Sequence, residues 1–331
     1  MSKGLNKEII NPTPLVSIIL SCYNGGEFLE RSIKSVTEQQ FLDWELIFVN
    51  DGSTDNSLDI AASFQKIDSR ISIRSKENGG LASARLHGLK FISTESQYLI
   101  FYDADDMMHP EMLLKLYEKI KSDTAVGAVY CNHRLIDIND NDLGLPTYGK
   151  RIVPTNFWIK QLDEDVLITP FLSVFCWASR MIEPMTLLRR TAYEESFGWN
   201  PEMGGPGNIG EGVLLFSEIA LSWKILYINE PLYFYRKHPN QATAFANKDA
   251  GDKVLAVWQE RLKNNYIFSS DIHMAMAFYR RVIAFSKVGS LKHTLRYHPL
   301  KLIPLIWSIL YNYIISLRLF LYKKTINTIR L

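Results

Sequence analysis

The chain has 331 residues, 47% hydrophobic and 22% charged, with 18 Gly and 13 Pro, a composition that excludes a disordered or collagen-like polymer. That length implies one large unit with appended elements, or two domains. The formal charge of +2 is unevenly spread: residues 1–271 hold 27 basic and 35 acidic groups, and after Asp271 the remaining charges, ten Lys and Arg, are all basic.

Val16–Cys22 is short, apolar and rich in β-branched residues, as a buried parallel strand is. The spacing of Phe28, Leu29, Ile33 and Val36 predicts a helix over about 27–39, and Glu45–Val49 predicts a second strand. Ser53, Thr54 and Asp55 offer caps for a helix carrying Leu58, Ala61, Ala62 and Phe64. A weaker strand at Ile71–Ile73, a helix from Leu81 to Ile92 behind Gly79 and Gly80, and a strand at Tyr98–Tyr102 complete the run. Strand and helix in this rhythm predict an α/β fold with a mostly parallel open sheet.

In such sheets ligands meet the carboxyl ends of the strands. Those ends read Tyr23-Asn24-Gly25-Gly26, Asn50-Asp51-Gly52-Ser53 and Asp103-Ala104-Asp105-Asp106. Four carboxylates at one edge repel unless a cation or hydrogen-bond donors offset them, so a divalent metal, Mg2+ or Mn2+, is expected there, completing its shell with substrate phosphates. The competing reading makes Asp103 or Asp106 a cap for a helix starting near Pro110.

The stretches VSIILSCYNGGEFLERSIKSVTEQ, WELIFVNDGSTDNS, ENGGLASARLHG and YLIFYDADDMMHPEML, in this order, resemble family 2 glycosyltransferases of the GT-A fold. The resemblance continues weakly through LLRRTAYEESFGWNPEM, GEGVLLFSEIAL and YFYRKHPNQAT, so it covers about residues 14–243. It implies a Rossmann-like GT-A domain with a nucleotide-sugar half (1–110) and an acceptor half (111–245), then a helical basic extension (246–331). It also implies that Tyr23 and Asp51 face the nucleotide base, normally uracil, with Asn24 and Glu27 nearby. Arg85 would lie by the phosphates, Asp103 at the ribose, and Asp105 with help from Asp106 on the metal. His238 matches a family histidine facing the diphosphate or metal; packing within its loop is the other reading.

The sequence departs from the family at one position. The family aspartate that acts as general base follows Gly-Glu, and here the segment reads Gly210-Glu211-Gly212. An acceptor hydroxyl must lose its proton as it attacks, so Glu211 is the adjacent candidate base; the alternative is that the base is absent or comes from elsewhere. The implied function is transfer of a hexose or N-acetylhexosamine from a UDP-sugar to a carbohydrate or lipid-linked glycan acceptor, with inversion, in bacterial surface-polysaccharide assembly. The competing function is a nucleotide-sugar-binding scaffold that has lost catalysis. A processive synthase is disfavoured by the lack of a Gln-x-x-Arg-Trp segment.

Leu302–Leu317 carries no charge, and at about 1.5 Å per residue it reaches only about 24 Å, short of the roughly 30 Å of a bilayer core. Trp307, Tyr311, Tyr313 and Tyr322, flanked by Lys301, Lys323 and Lys324, suit an interface, so residues 299–324 are expected to lie on an anionic membrane; a spanning helix and a packing helix are the alternatives. Nucleic acid is not expected as a partner, because the basic residues match no binding module. Cys22, Cys131 and Cys176 form no disulfide or zinc pattern, and Val16–Cys22 is too short for a signal peptide, which together imply a cytoplasmic protein peripheral to the inner membrane face.

Overall fold

The computed structural model describes residues 14–144, 166–168, 184–196, 198–199, 211–241 and 256. All seven residues of β1 (Val16–Cys22) are buried, which a strand achieves only at the centre of a sheet covered on both faces. It lies parallel between β2 (Trp44–Asn50) and β4 (Tyr98–Asp103), with Val16 opposite Trp44 and Tyr98. The less buried β3 (Ile71–Ser75) adds to the outer side of β2, also parallel.

Helices connect these strands and cover them. α1 (Gly26–Thr37) buries Phe28, Leu29, Ile33 and Val36, the stripe the sequence predicts. α2 (Ser57–Ile67) starts just after Asp55, whose Oδ1 accepts from the Ser57 N–H at 3.1 Å. α3 (Leu81–Leu89) stops three residues before the expected Ile92, because the Lys90 and Phe91 N–H groups turn to the carbonyls three residues back and tighten the last turn.

α4 (Met112–Lys121) needs no aspartate cap. Gln39, just past the end of α1, accepts from the Leu113 N–H at 3.0 Å and donates to the His109 carbonyl at 2.7 Å. Asp103 and Asp106 are thereby left for other work.

The second half continues the same sheet. Its strands are β5 (Met107–Met108), β6 (Val126–Ile136), β7 (Asp142–Gly144), β8 (Val166–Ile168), β9 (Thr186–Arg189) and β10 (Lys224–Arg236); its short α5 (Arg190–Glu194) precedes α6 (Glu211–Ser222). The strand order is β3-β2-β1-β4-β9-β6-β10-β5, with β7 on β6 and β8 on β10. β6 and β10 pair parallel to each other, while β9 runs antiparallel between β4 and β6. The boundary expected at 110/111 falls between β5 and α4, inside one continuous sheet. The extension expected over 246–331, with its segment 299–324, lies outside the described residues apart from Ala256. Among the described residues no helix is long and apolar enough to cross a membrane.

Candidate active site

The carboxyl ends of β1 and β2 are laced together by short polar side chains. Asn24, at φ 51°, donates its N–H to Ser53 Oγ at 3.0 Å and accepts from the Thr54 N–H at 2.8 Å. Ser57 Oγ accepts from the Gly25 N–H and Asp55 Oδ2 from the Gly26 N–H, so the start of α1 is pinned to the start of α2. Tyr23 stands 57% exposed on this rim, with Glu27 exposed in the first turn of α1.

Asp51 is only 3% exposed. Its Oδ1 accepts from Lys76 Nζ at 2.6 Å and the Gly79 N–H at 3.1 Å, and its Oδ2 from the Gly80 N–H at 2.8 Å. Its carbonyl accepts from Asn78 Nδ2 at 2.9 Å. The expected base-facing aspartate therefore spends its carboxylate on holding residues 76–80, the entry to α3.

Arg85, on α3, is buried rather than solvated, whereas Lys90 at the same helix end is exposed. Its Nη2 meets Asp103 Oδ1 at 3.1 Å, and its guanidinium lies 4.5 Å from the centroid of the Trp199 ring. Trp199 in turn packs edge-on against Phe101 of β4 at 4.9 Å. Arginine, cation-stacking ring and aspartate thus form one unit at the end of β4.

The adjacent residues Asp105 and Asp106 part company. Asp105 keeps its side chain about a third exposed and places Oδ2 2.9 Å from His238 Nε2, just beyond β10. Asp106 turns inward: the Tyr233 hydroxyl donates to Oδ2 and the Arg236 N–H to Oδ1, each at 2.7 Å. Burial, followed by the nearby charges of Asp105 and Asp103, pushes its carboxyl well above the usual range. Buried and with both oxygens taken up by Tyr233 and Arg236, Asp106 is not placed here as the helping metal ligand that the resemblance implies. Asp105 offers the oxygen donor that a divalent ion takes, and His238 an imidazole that a transition ion such as Mn2+ accepts beside it, with phosphate and water left for the other positions. Among the described residues no group of three such donors exists.

Glu211 opens α6, and Gly212 behind it is buried; the Glu211 side chain lies outside the described residues, as does Gly204-Gly205-Pro206-Gly207. Three residues that build the site are not flagged by the motif reading: Lys76, Trp199 and Arg236. Arg236 carried a readable signal, lying two residues before His238 at the end of an extended segment.

A model described as glycosyl transferase family 2 matches residues 17–196, more than half of the chain, and the chain belongs to this family. Glycosyltransferase GlyA of Streptococcus pneumoniae is 25% identical over 274 residues, which cover 82% of this chain; the chain spans 37% of that relative's length. Residues 1–349 of Staphylococcus aureus TarS, solved with UDP-GlcNAc, superpose with a TM-score of 0.66 at 18% identity, covering 91% of this chain and 81% of that one. The mannosyltransferase PcManGT of Pyrobaculum calidifontis, solved with GDP-Man and Mn2+, gives a TM-score of 0.56 at 15% identity, covering 93% of this chain and 85% of that one. Sheet order and these likenesses define a GT-A fold.

Proposed function

We propose that this chain transfers a sugar from a nucleotide-diphosphate donor, UDP-linked in preference to GDP-linked, to the hydroxyl of a glycan or lipid-linked acceptor. Inversion at the anomeric carbon and a place in bacterial surface-polysaccharide assembly belong to the same reading. The observation that carries it is the pairing of Arg85 with Asp103 and of Asp105 with His238 at the carboxyl end of β4. The reading is supported by neighbours of the same fold that hold UDP-GlcNAc, and GDP-Man with Mn2+.

In this reading Asp103 meets the ribose. Arg85, held in place by Trp199, directs its planar donors toward the diphosphate as negative charge builds on it. Asp105 and His238 would hold a divalent ion, which when bound neutralises the departing diphosphate. Tyr23, Asn24 and Glu27 line the base side. Glu211 takes the acceptor proton in place of the family aspartate, whose position is Gly212. Binding of residues 299–324 to anionic membrane keeps the enzyme near lipid-linked acceptors; co-sedimentation with anionic liposomes, lost on truncation after Ser290, tests that part.

The deciding experiment incubates the full chain with UDP- and GDP-sugars, Mn2+ and an acceptor pool, comparing parent with Glu211→Gln. Turnover in the variant is expected to fall by a factor on the order of 100 to 10,000 with donor affinity kept. Turnover within a few-fold of the parent removes Glu211 as the base. Gly212 favours one second reading, a chain that binds nucleotide sugar without transferring it; calorimetric donor binding with neither hydrolysis nor transfer is its signature.

A further inference from the structure

Arg236, the last residue of β10, has its side chain fully buried, yet its bonds converge on the candidate site. Its Nε–H donates to the Asp105 carbonyl, its backbone N–H to Asp106 Oδ1 and its Nη1 to the Asp137 carbonyl, each at 2.7 Å. The guanidinium lies 4.8 Å from the centroid of the Phe28 ring, and the same ring meets the His238 imidazole at 4.9 Å. Both members of the Asp105–His238 pair are therefore set from one group, Asp105 directly and His238 through Phe28.

The arginine is itself held from outside. Its Nη1 pairs with Asp140 Oδ1, and the other oxygen of Asp140 accepts from Arg31 Nη1 on α1 at 3.0 Å. The side chains of Arg31 and Asp140 are 35% and 31% exposed, so a line of charged contacts runs from the surface to Asp105. Asp140 adopts φ 68°, a left-handed conformation that aspartate tolerates better than most residues, and it turns the 137–141 loop back onto Arg236. A guanidinium suits this place because its rigid fork fixes several directions at once, which an ammonium cannot.

We propose that Arg236 is a positioning residue for the donor diphosphate, acting through Asp105 and His238, with its orientation set from the surface by Asp140 and Arg31. This rests on the reading that Asp105 and His238 meet the diphosphate and its divalent ion. The test titrates Mn2+ into the full chain with UDP present, by calorimetry, and in parallel measures the Mn2+ dependence of donor turnover. Arg236→Lys is expected to weaken Mn2+ binding about 10- to 100-fold, as loss of a group that orients a ligand does. Arg31→Gln and Asp140→Asn should shift it in the same direction by less. Excess Mn2+ should restore kcat in these three variants, whose ligating atoms remain, but not in Asp105→Ala. Parent-like Mn2+ affinity in folded Arg236→Lys overturns the proposal; if that variant does not fold, parent-like affinity in both Arg31→Gln and Asp140→Asn does so. Loss of affinity in Asp105→Ala beside parent-like affinity in the others removes the positioning role alone. Parent-like affinity in Asp105→Ala removes the diphosphate reading and this inference with it.

Discussion

Asp51 and Asp106 both follow a central strand and are both buried, at 3% and 1% exposure, yet they meet burial in opposite ways. Asp51 is met by a lysine and two glycine N–H groups, all from residues 76–80. Asp106 is satisfied instead by a tyrosine hydroxyl and a backbone N–H, and burial beside two further carboxylates raises its pKa well above the usual range. The first half of the sheet is thus fastened at Asp51 by a lysine, and the junction of the two halves at Asp106 by a hydroxyl and a backbone N–H. A strand-end aspartate can be a latch in either form without touching a ligand.

One substitution made at both positions can break this contrast. Asp51→Asn removes the counter-charge of Lys76 and an acceptor for the glycine N–H groups, and is expected to cost about 3 kcal/mol in urea unfolding. Gly52→Ala should cost about 2 kcal/mol in the same assay, since φ is +78° and the new Cβ would stand 2.8 Å from the Asn78 nitrogen. Asp106→Asn should cost less than about 1 kcal/mol, because the amide oxygen can still accept from the Arg236 N–H, the amide N–H can donate to the Tyr233 hydroxyl, and no side-chain cation bonded to it loses a partner. A larger loss there than at Asp51 would show that the lysine partner is not what makes Asp51 the costlier of the two.

Acid titration adds a smaller control away from both aspartates. Hydrogen bonds from Arg70 hold the Asp68 carboxyl below the usual range, although partial burial opposes them. A depressed folded-state value means that this contribution is present above about pH 4 and is lost as pH falls through the folded value. Asp68→Asn should remove about 0.5 kcal/mol at pH 7, and progressively less as pH falls through the folded value. Denaturation curves at pH 7 and at lower pH measure the difference.

The parallel half was legible because β1, β2 and β4 are runs of almost wholly buried residues and each crossover helix is local. The second half was not. β5 has two residues and β9 four, too short for any periodic signal, and β10 carries Pro231 within it and shifts register against β6 beside that residue. The site divides along the same line. Arg85 and Asp103 are both singled out by the local motifs, one for the phosphates and one for the ribose, and the structure brings them to 3.1 Å of each other. Which of Asp105 and Asp106 faces outward depends on Tyr233, Arg236 and His238, more than 120 positions away, and no local pattern carries that information. The two readings of His238 were left open for the same reason; its contact with Asp105 is made only when β10 lies beside β5.

The placement of β9 has a further consequence. Its ladder with β4 involves only Tyr98 and Leu99, and its ladder with β6 Ala128 to Tyr130, extended by the Cys131 N–H to the Met185 carbonyl, so among the described residues β4 runs on from Ile100, and β6 from Asn132, without pairing to it. The sheet is zipped near the amino ends of these strands and forked toward the end that bears Asp103. A fork of this kind separates two evolutionary demands. Residues below the branch must keep register with their neighbours, and a change there disturbs every strand. Segments threaded beyond it can lengthen, shorten or exchange side chains while the zipped end stays unchanged. Side chains on the prongs can therefore be exchanged without rebuilding the stem.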